Sequence, residues 1–383
     1  MTELLKGLSV PVNRRSFVKK GLMAGAATVG AGLLTPSLFA KVTAHEPNRH
    51  LTRNGSLSSG DAALLRFVAA AEILEADFWI QYNELAGIQD SELPFGSGNA
   101  DYTAALAAFD DDFPQYIHDN TEDEVTHHLF LNAYLMSRGA QPVDLEQFRT
   151  LQGSQATGSS GMLRLTNLMQ LTLDTSWYTR YRDDNHNPDL DTSFVFQQAV
   201  PGLHHGEFLG IPRTDDDLNP PLHLQAIAAT AALHMPTVEQ GGNSLYPSLA
   251  QRASDAEVLR VLISIGPTET MHFQTWSDIA ADVLGDVAPF TDPTNGLFFP
   301  SVNNPPLAGK PLFQNNRIMP EPCPFISRDL PICSVIRPTE TNGAATGAVN
   351  FLTAMGLFRG QSQGFLDFMT QLAQEADAAQ RDR

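Results

Sequence analysis

The sequence predicts an all-α protein built around a four-helix bundle, in which two helical hairpins are joined by a long crossover. Two observations lead to this prediction. The pattern Glu-x-x-His occurs twice in helical segments, and each copy follows a helical segment that carries a lone glutamate. These units are Glu72, Glu124-x-x-His127, Glu239 and Glu269-x-x-His272. One such unit on each helix is the arrangement of bundles that hold two metal ions in their core.

The first hairpin consists of two predicted helices. Helical periodicity begins at Asp61, a plausible N-cap, and continues to Leu85. The second helix begins at Asp112, has Pro114 in its first turn, and runs to Arg138. A glycine just beyond each helix provides a stop, because glycine readily adopts the left-handed conformation of a helix end.

The second hairpin is predicted from about Leu222 to Leu284. Its first helix runs to about Tyr246, and its second begins at a capping box, Ser254 to Glu257. Pro236 and Pro267 fall inside these helices, where a proline removes a backbone hydrogen bond. Either the helices kink at the site, or the fourth helix restarts at Pro267 and places Glu269 in a first turn.

The remaining chain divides around this bundle. We predict a signal peptide at 1–44, a linker at 45–60, the bundle at 61–285 with an insert at about 140–220, and an extension at 286–383. Within the insert, Met162 to Arg182 is an expected extra helix. The extension is rich in Pro and Asn up to about residue 345, and one last amphipathic helix is expected within 348–379.

The amino terminus predicts export. Asn13 to Lys20 resembles the twin-arginine consensus, and a mildly apolar run rich in Gly and Ala follows from Gly21 to Ala40. A retained membrane anchor is the alternative, but the small residues favour a cleaved signal, which leaves no stable membrane span. The resemblance implies the twin-arginine translocase as a partner, a folded cargo and a periplasmic or other extracytoplasmic location.

The composition argues against some classes of function. The 383 residues carry 24 basic and 43 acidic side chains, for a net charge of −19, which argues against nucleic-acid binding. Cys323 and Cys333 are the only cysteines. In an oxidising compartment they could form one disulfide, whereas two cysteines alone do not make a zinc ribbon.

Six side chains are the predicted metal ligands. Residues three apart on a helix can address one point, so each Glu-x-x-His pair can share an ion. Four buried carboxylates without compensation would be strongly unfavourable, and two divalent cations would balance them. Carboxylate with imidazole, and no thiolate, suits iron or manganese. The predicted ligands are Glu72, Glu124, His127, Glu239, Glu269 and His272.

Nearby residues offer alternatives. Glu75 lies on the same side of the first helix as Glu72 and could replace it as a ligand. Glu72 is favoured because Trp79 follows it by one heptad, as Tyr246 follows Glu239, which predicts an aromatic wall beside each lone glutamate.

One further histidine and one further cluster are weaker candidates for metal ligands. His128 points about 100° away from its neighbour and is expected to be structural. A cluster of His204, His205 and Glu207 is a weaker candidate for a second metal patch, because its spacing follows no helical logic.

Taken together, these residues resemble the bacterial ferritin-like family that includes the desiccation-related proteins. The resemblance lies in Ala71 to Trp79, Val238 to Tyr246 and Glu269 to His272, and extends over about residues 60–285 apart from the large crossover insert. It implies an all-helical, ferritin-like fold and, where the ligands are kept, a di-iron centre.

We therefore expect an exported di-iron carboxylate protein that reacts with oxygen or peroxide, which makes an oxidase or peroxidase activity possible. The alternatives are a non-enzymatic stress or desiccation-related envelope protein on the same scaffold, and iron sequestration. Manganese is the alternative metal.

Overall fold

The computed structural model of the protein describes residues 55–302 and 319–381. The predicted signal peptide and residues 45–54 of the predicted linker lie outside the described residues. Helices dominate the described part of the chain, which confirms the predicted all-α fold. Among the described helices, none combines the length and the apolar character that a membrane crossing requires.

Eight α-helices occur within the ranges 55–302 and 319–381. They are α1 Ser59–Ala86, α2 Ala100–Ala107, α3 Phe113–Ser137, α4 Ser176–Arg180, α5 Pro221–Ala250, α6 Ala256–Asp282, α7 Ala344–Ala354 and α8 Gln363–Ala378. Short 3-10 turns lie at Glu146–Phe148, Pro201–His205 and Asp215–Leu218, and a π-helical turn, Val283–Val287, extends α6. Two short strands, β1 Phe290–Thr291 and β2 Phe298–Phe299, pair antiparallel, with Phe290 opposite Phe299.

The bundle consists of two hairpins, as predicted: α1 packs against α3, and α5 packs against α6. Their caps differ slightly from prediction. The N-cap of α1 is Ser58, whose hydroxyl accepts the backbone N–H of Asp61. The Asp61 carboxylate instead accepts the backbone N–H groups of Ser254 and Asp255, at 2.9 and 3.1 Å. It therefore ties the start of the first hairpin to the start of α6, whose N-cap is Asp255 rather than Ser254.

Both prolines lie inside continuous helices. The helix α5 runs through Pro236, and α6 runs through Pro267. The alternative of a helix that restarts at Pro267 is therefore wrong, and Glu239 and Glu269 both occupy helix interiors.

The predicted helix from Met162 to Arg182 is wrong, since only Ser176–Arg180 is helical. The buried carboxylate of Asp77 accepts the backbone N–H groups of Leu165 and Thr166, both at 2.9 Å. These backbone groups are thus bound to the bundle instead of to a helix. Local propensity favoured the helix, but this tertiary contact outweighs it. The short helix α2 was not predicted.

The extension folds against the bundle. The predicted last helix is two helices, α7 packed on α5 and α8 packed on α1. Gly356 separates them with φ +87°, a left-handed conformation in which a helix cannot continue. The guanidinium of Arg252 on the bundle side donates to the backbone carbonyls of Thr341, Asp377 and Ala379.

The two cysteines lie in this extension. Cys323 and Cys333 face each other across an isolated antiparallel bridge, with N–H···O distances of 3.1 and 3.0 Å. Both thiols are free, one buried and one exposed.

Candidate metal centre

Six buried side chains from four helices meet in the core of the bundle. They form two groups, and the ligand-type atoms within each group lie within 4.8 Å of one another. One group is Glu72, Glu124, His127 and Glu269; the other is Glu124, Glu239, Glu269 and His272. These are the six side chains that the sequence singles out, and Glu124 and Glu269 belong to both groups. Such buried Glu and His groups could hold a metal ion.

Each hairpin supplies one half of this arrangement. The helices α1 and α3 carry Glu72 and the first Glu-x-x-His pair, and α5 and α6 carry Glu239 and the second pair. Each group takes three members from one hairpin and its fourth from the other. Glu269 of the second hairpin joins the group with Glu72, and Glu124 of the first hairpin joins the group with Glu239.

Both histidines turn the same ring nitrogen towards the carboxylates. The Nδ1 atom of His127 lies 3.0 Å from Glu124 and 3.2 Å from Glu72. The Nδ1 atom of His272 lies 3.1 Å from Glu124 and 3.4 Å from Glu239. The Nδ1 atoms are therefore the nitrogens placed to bind a metal.

The opposite ring nitrogens contact orienting groups that the sequence analysis missed. Nε2 of His272 lies 3.0 Å from a carboxylate oxygen of Asp123, and Nε2 of His127 lies 3.2 Å from the hydroxyl of Thr268. A metal-binding histidine is usually held in this way through its second nitrogen, which fixes the ring and its tautomer. Asp123 directly precedes Glu124, but helical spacing alone does not show which partner it faces.

Aromatic donors hold the two lone glutamates, and the predicted pairing is crossed. The indole N–H of Trp79 donates to Glu239 at 3.0 Å, and the hydroxyl of Tyr246 donates to Glu72. Each aromatic side chain thus lies at the site but binds the glutamate of the other helix. The heptad spacing identified the right aromatic residues and the wrong partners.

An amide links the two sides of the centre. The side-chain nitrogen of Asn120 donates to Glu124 at 2.8 Å and to Glu239 at 3.1 Å. Its oxygen accepts the indole N–H of Trp276 at 2.7 Å. Asn120 was not among the predicted site residues, although it lies one helical turn before Glu124, where a side chain can reach the same face.

A glycine lets α5 approach the centre. A Cβ atom added to Gly242 would lie 2.7 Å from Oε2 of Glu269, closer than real contacts allow. The adjacent Gly241 has open space at the same position, with no atom within 4 Å. Gly242 therefore creates the room that the Glu269 carboxylate occupies.

The centre fits a cation, because several buried acceptors are unsatisfied. Both carboxylate oxygens of Glu269 and Oε2 of Glu239 are buried and have no hydrogen-bond partner among the described residues. Buried polar atoms are rarely left in this state unless an ion or water completes them. The donor set of carboxylate oxygens and imidazole nitrogens, with no thiolate, matches iron or manganese.

Without metal, protons balance the negative charge. Burial opposes protonation of His127, but hydrogen bonds with Glu124 and Glu72 outweigh it and raise its pKa to about 11. Burial, aided by the charge on Glu72, raises the pKa of Glu124 to about 7. Burial and the neighbouring carboxylates raise the pKa of Glu269 well above its ordinary value. The centre therefore attracts positive charge, whether as protons or as metal.

Three other candidates lie outside the two groups. Glu75 is buried beside them, and burial with the charges of Glu124 and Glu239 raises its pKa well above the ordinary range. The cluster of His204, His205 and Glu207 forms no group that could hold a metal within the described ranges. His128 contacts the backbone carbonyl of Glu124, which agrees with a structural role.

The third group with ligand-type atoms lies at the surface. It consists of Asp90, Glu92 and His118, and its two carboxylates are exposed. Exposed acidic groups of this kind are common in proteins without a bound ion.

The fold and the centre can be compared with known proteins. A family model described as a ferritin-like domain matches residues 60–281, from the start of α1 almost to the end of α6. No curated protein and no solved structure shows a significant match. The matched region covers more than half of the chain and contains all six side chains of the two groups. The chain therefore belongs to the ferritin-like domain family.

Proposed function

We propose that this protein is an exported metalloprotein in which two iron ions react with oxygen or peroxide. Manganese is the alternative metal. The observation that supports this best is the pair of buried groups that share Glu124 and Glu269. Two adjoining groups with two common carboxylates suit a dinuclear site better than two independent ions.

The residues of the chain would hold and tune these ions. Glu72 with His127 would bind one ion, and Glu239 with His272 would bind the other. Glu124 and Glu269 would be shared between them. Bound iron would supply the redox chemistry with the oxidant, which no side chain of this site provides by itself.

The surrounding side chains would keep the centre dry and oriented. The stacked rings of Trp79 and Trp276, with centroids 5.1 Å apart, lie beside the carboxylates of the second group. The hydroxyl of Tyr246 donates to Glu72. Burial and the charge on Glu72 raise the pKa of Tyr246 well above the ordinary value, so the phenol keeps its proton. Excluding water strengthens the electrostatic interactions within such a site.

Export completes the proposal. The basic twin-arginine-like segment Asn13 to Lys20 and the Gly- and Ala-rich run after it support transport by the twin-arginine translocase to an extracytoplasmic compartment. The measurement is cell fractionation. A twin-lysine substitution of Arg14 and Arg15 should retain the protein in the cytoplasm with an uncleaved leader, and normal export of that variant would contradict the export proposal.

Metal analysis tests the central claim. The purified mature protein should contain about two irons or manganese ions per chain, as expected for a bundle with this ligand set. The variants Glu239→Ala and Glu269→Ala should lose them. Glu122→Ala, which removes an exposed carboxylate from α3, is the matched control and should keep them.

The reaction is tested separately. Peroxide or oxygen consumption by the loaded protein supports the proposal. Stoichiometric metal without any turnover would instead favour a non-enzymatic stress-related protein on the same scaffold, and a large excess of iron per chain would favour iron sequestration. Retained metal in Glu269→Ala would refute the assigned site.

A further inference from the structure

A cavity of about 390 Å³ opens beside the candidate metal centre. It lies between α1, α5 and α7, and its volume falls within the range of small-molecule sites. Most of its lining is apolar, including Phe67, Phe78, Val238, Leu245, Phe351 and Met369. A mainly apolar lining with a few polar groups is typical of a site for a small organic molecule.

The inner part of the cavity reaches the centre itself. Glu72 belongs to one of the two groups of possible metal ligands, and it lines the cavity together with Tyr246 and Glu75. A molecule in the cavity would therefore lie against the side of the centre that α1 provides.

Glu75 is the polar group that requires a partner. Its side chain lines the cavity, and the residue is 9% exposed. The Oε1 atom is fully buried and accepts no hydrogen bond from any described residue. A buried acceptor without a partner is rare in folded proteins, and a bound molecule with an O–H or N–H group would satisfy it.

The balance of acidic and basic side chains in the lining selects the kind of head group. Besides Glu72 and Glu75, the lining includes the carboxylates of Asp174 and Glu340. Among the described residues, Arg180 is its one cationic side chain; its guanidinium donates to Gln240, and its buried Nε has no hydrogen-bond partner. Acidic groups thus outnumber basic ones, which disfavours a ligand with a carboxylate.

The outer wall of the cavity is specific to the extension. Residues between Pro338 and Met369 contribute this wall, and they lie beyond the segment 60–281 that matches the ferritin-like domain. The bundle provides the inner wall on α1 and α5. The cavity thus exists because the extension folds over this face of the bundle.

We propose that the extension and the bundle together form a binding site for a mainly apolar small molecule with a hydroxyl or amino head group, which donates a hydrogen bond to Glu75. If the proposed function holds, this molecule is the organic substrate or reductant of the metal centre. The binding step itself does not require the metal, so it can be tested independently.

The head-group preference is tested by calorimetric titration of the mature protein with n-hexanol, n-hexylamine and hexanoate, in metal-free and metal-loaded form. The alcohol or the amine should bind at least about tenfold more tightly than the carboxylate. Glu75→Leu removes the acceptor and keeps an apolar side chain of similar size. It should weaken binding of the preferred ligand by about fivefold to tenfold, the usual effect of one hydrogen bond. Equal binding of hexanoate, or unchanged affinity in Glu75→Leu, would overturn the proposal.

The location is tested by filling the cavity. Gly347 on α7 lines it at an exposed position, and an added Cβ would meet no atom of the described residues within 4 Å, so Gly347→Leu adds apolar volume at the cavity wall without a clash. Gly364→Leu on α8 is the control, because Gly364 is also helical and does not line the cavity, and an added Cβ would make only an ordinary contact with the Ser362 hydroxyl at 3.8 Å. Binding should be lost in the first variant and kept in the second.

The two proposals fail in different ways. Binding that survives Gly347→Leu would overturn the cavity proposal even if two metals are present. Absence of metal in the wild-type protein would overturn the proposed function, while binding to the metal-free chain would still support the cavity.

Discussion

The indole N–H of Trp79 donates to a carboxylate oxygen of Glu239, 3.0 Å away, so a side chain of α1 holds the lone glutamate of α5. The reverse also holds, because the hydroxyl of Tyr246 on α5 donates to Glu72 on α1. One carboxylate oxygen of each glutamate thus accepts a hydrogen bond from an aromatic side chain on the other helix. Its other oxygen is directed to the histidine of its own group, at 3.2 Å for Glu72 and 3.4 Å for Glu239.

Removal of one aromatic donor should weaken metal binding without unfolding the bundle. Tyr246→Phe leaves the ring in place and takes away the hydrogen bond to Glu72. We expect metal affinity to fall by about tenfold to a hundredfold, as for other groups that orient ligands. Competition with a chelator measures this fall. Tyr134→Phe is the control, since its hydroxyl binds Glu257 away from the centre. Equal affinities of wild type and Tyr246→Phe would contradict the orienting role.

The carboxylate of Asp123 should fix the ring of His272. Asp123→Ala removes the partner at 3.0 Å, but that side chain is 52% exposed, so solvent screens the interaction. We therefore expect a loss near the lower end of the same range, about tenfold in metal affinity. Asp119→Ala removes an exposed carboxylate from the same helix and should have no effect. A loss of similar size in both variants would indicate general electrostatics rather than orientation of the ring.

Adjacent glycines on α5 offer a steric test. Gly242→Ala would place a methyl group 2.7 Å from the Glu269 carboxylate, whereas Gly241→Ala meets open space. The first variant should lose much of its metal, because the Glu269 carboxylate, which belongs to both groups, must shift away from the added methyl group. The second should keep its metal and gain slightly in stability, by up to about 1 kcal/mol from helix propensity. Metal content and thermal unfolding measure both effects, and full metal content in Gly242→Ala would contradict this packing.

The metal-free protein should lose stability as the pH rises. The pKa of Glu124 is raised from its unfolded value of 4.5 to about 7, and that of His127 from 6.5 to about 11. The folded state therefore binds more protons than the unfolded state in these windows, and stability falls as pH increases through them. We expect the melting temperature of the metal-free protein to decrease between pH 6.5 and pH 9.

The loaded protein should behave differently in the same range. Metal replaces the protons, so binding releases them and affinity increases with pH. Thermal scans of both forms at several pH values, in one buffer series, provide the measurement. A metal-free protein whose melting temperature rises from pH 6.5 to pH 9 would contradict the proton balance of the centre.

Much of this centre could be predicted from the sequence because helical geometry is local. A Glu-x-x-His pair on one helix must present both side chains to one region, and two such pairs with two lone glutamates on four helices leave few ways to arrange them. The contacts between Trp79 and Glu239, or between His127 and Thr268, depend on how the helices rotate against each other. No periodicity within one helix contains that information.

The crossover and the extension were harder to predict because their structure also depends on contacts between distant parts of the chain. Leu165 and Thr166 have no helix because Asp77, in another part of the chain, accepts their backbone N–H groups. The extension was expected as a Pro- and Asn-rich segment with one last helix, but its role as the wall of a cavity depends on α7 facing α5. Long-range contacts of this kind override local propensity.

Because Glu124 and Glu269 belong to both groups, a bound ion would affect the motion of the whole bundle. An ion in either group would contact both hairpins at once, so the hairpins could not separate without first releasing it. Loading should therefore slow amide hydrogen exchange in α1, α3, α5 and α6 together, as one cooperative opening unit. In the metal-free chain, the two hairpins should open independently, so their amide hydrogens should exchange at different rates.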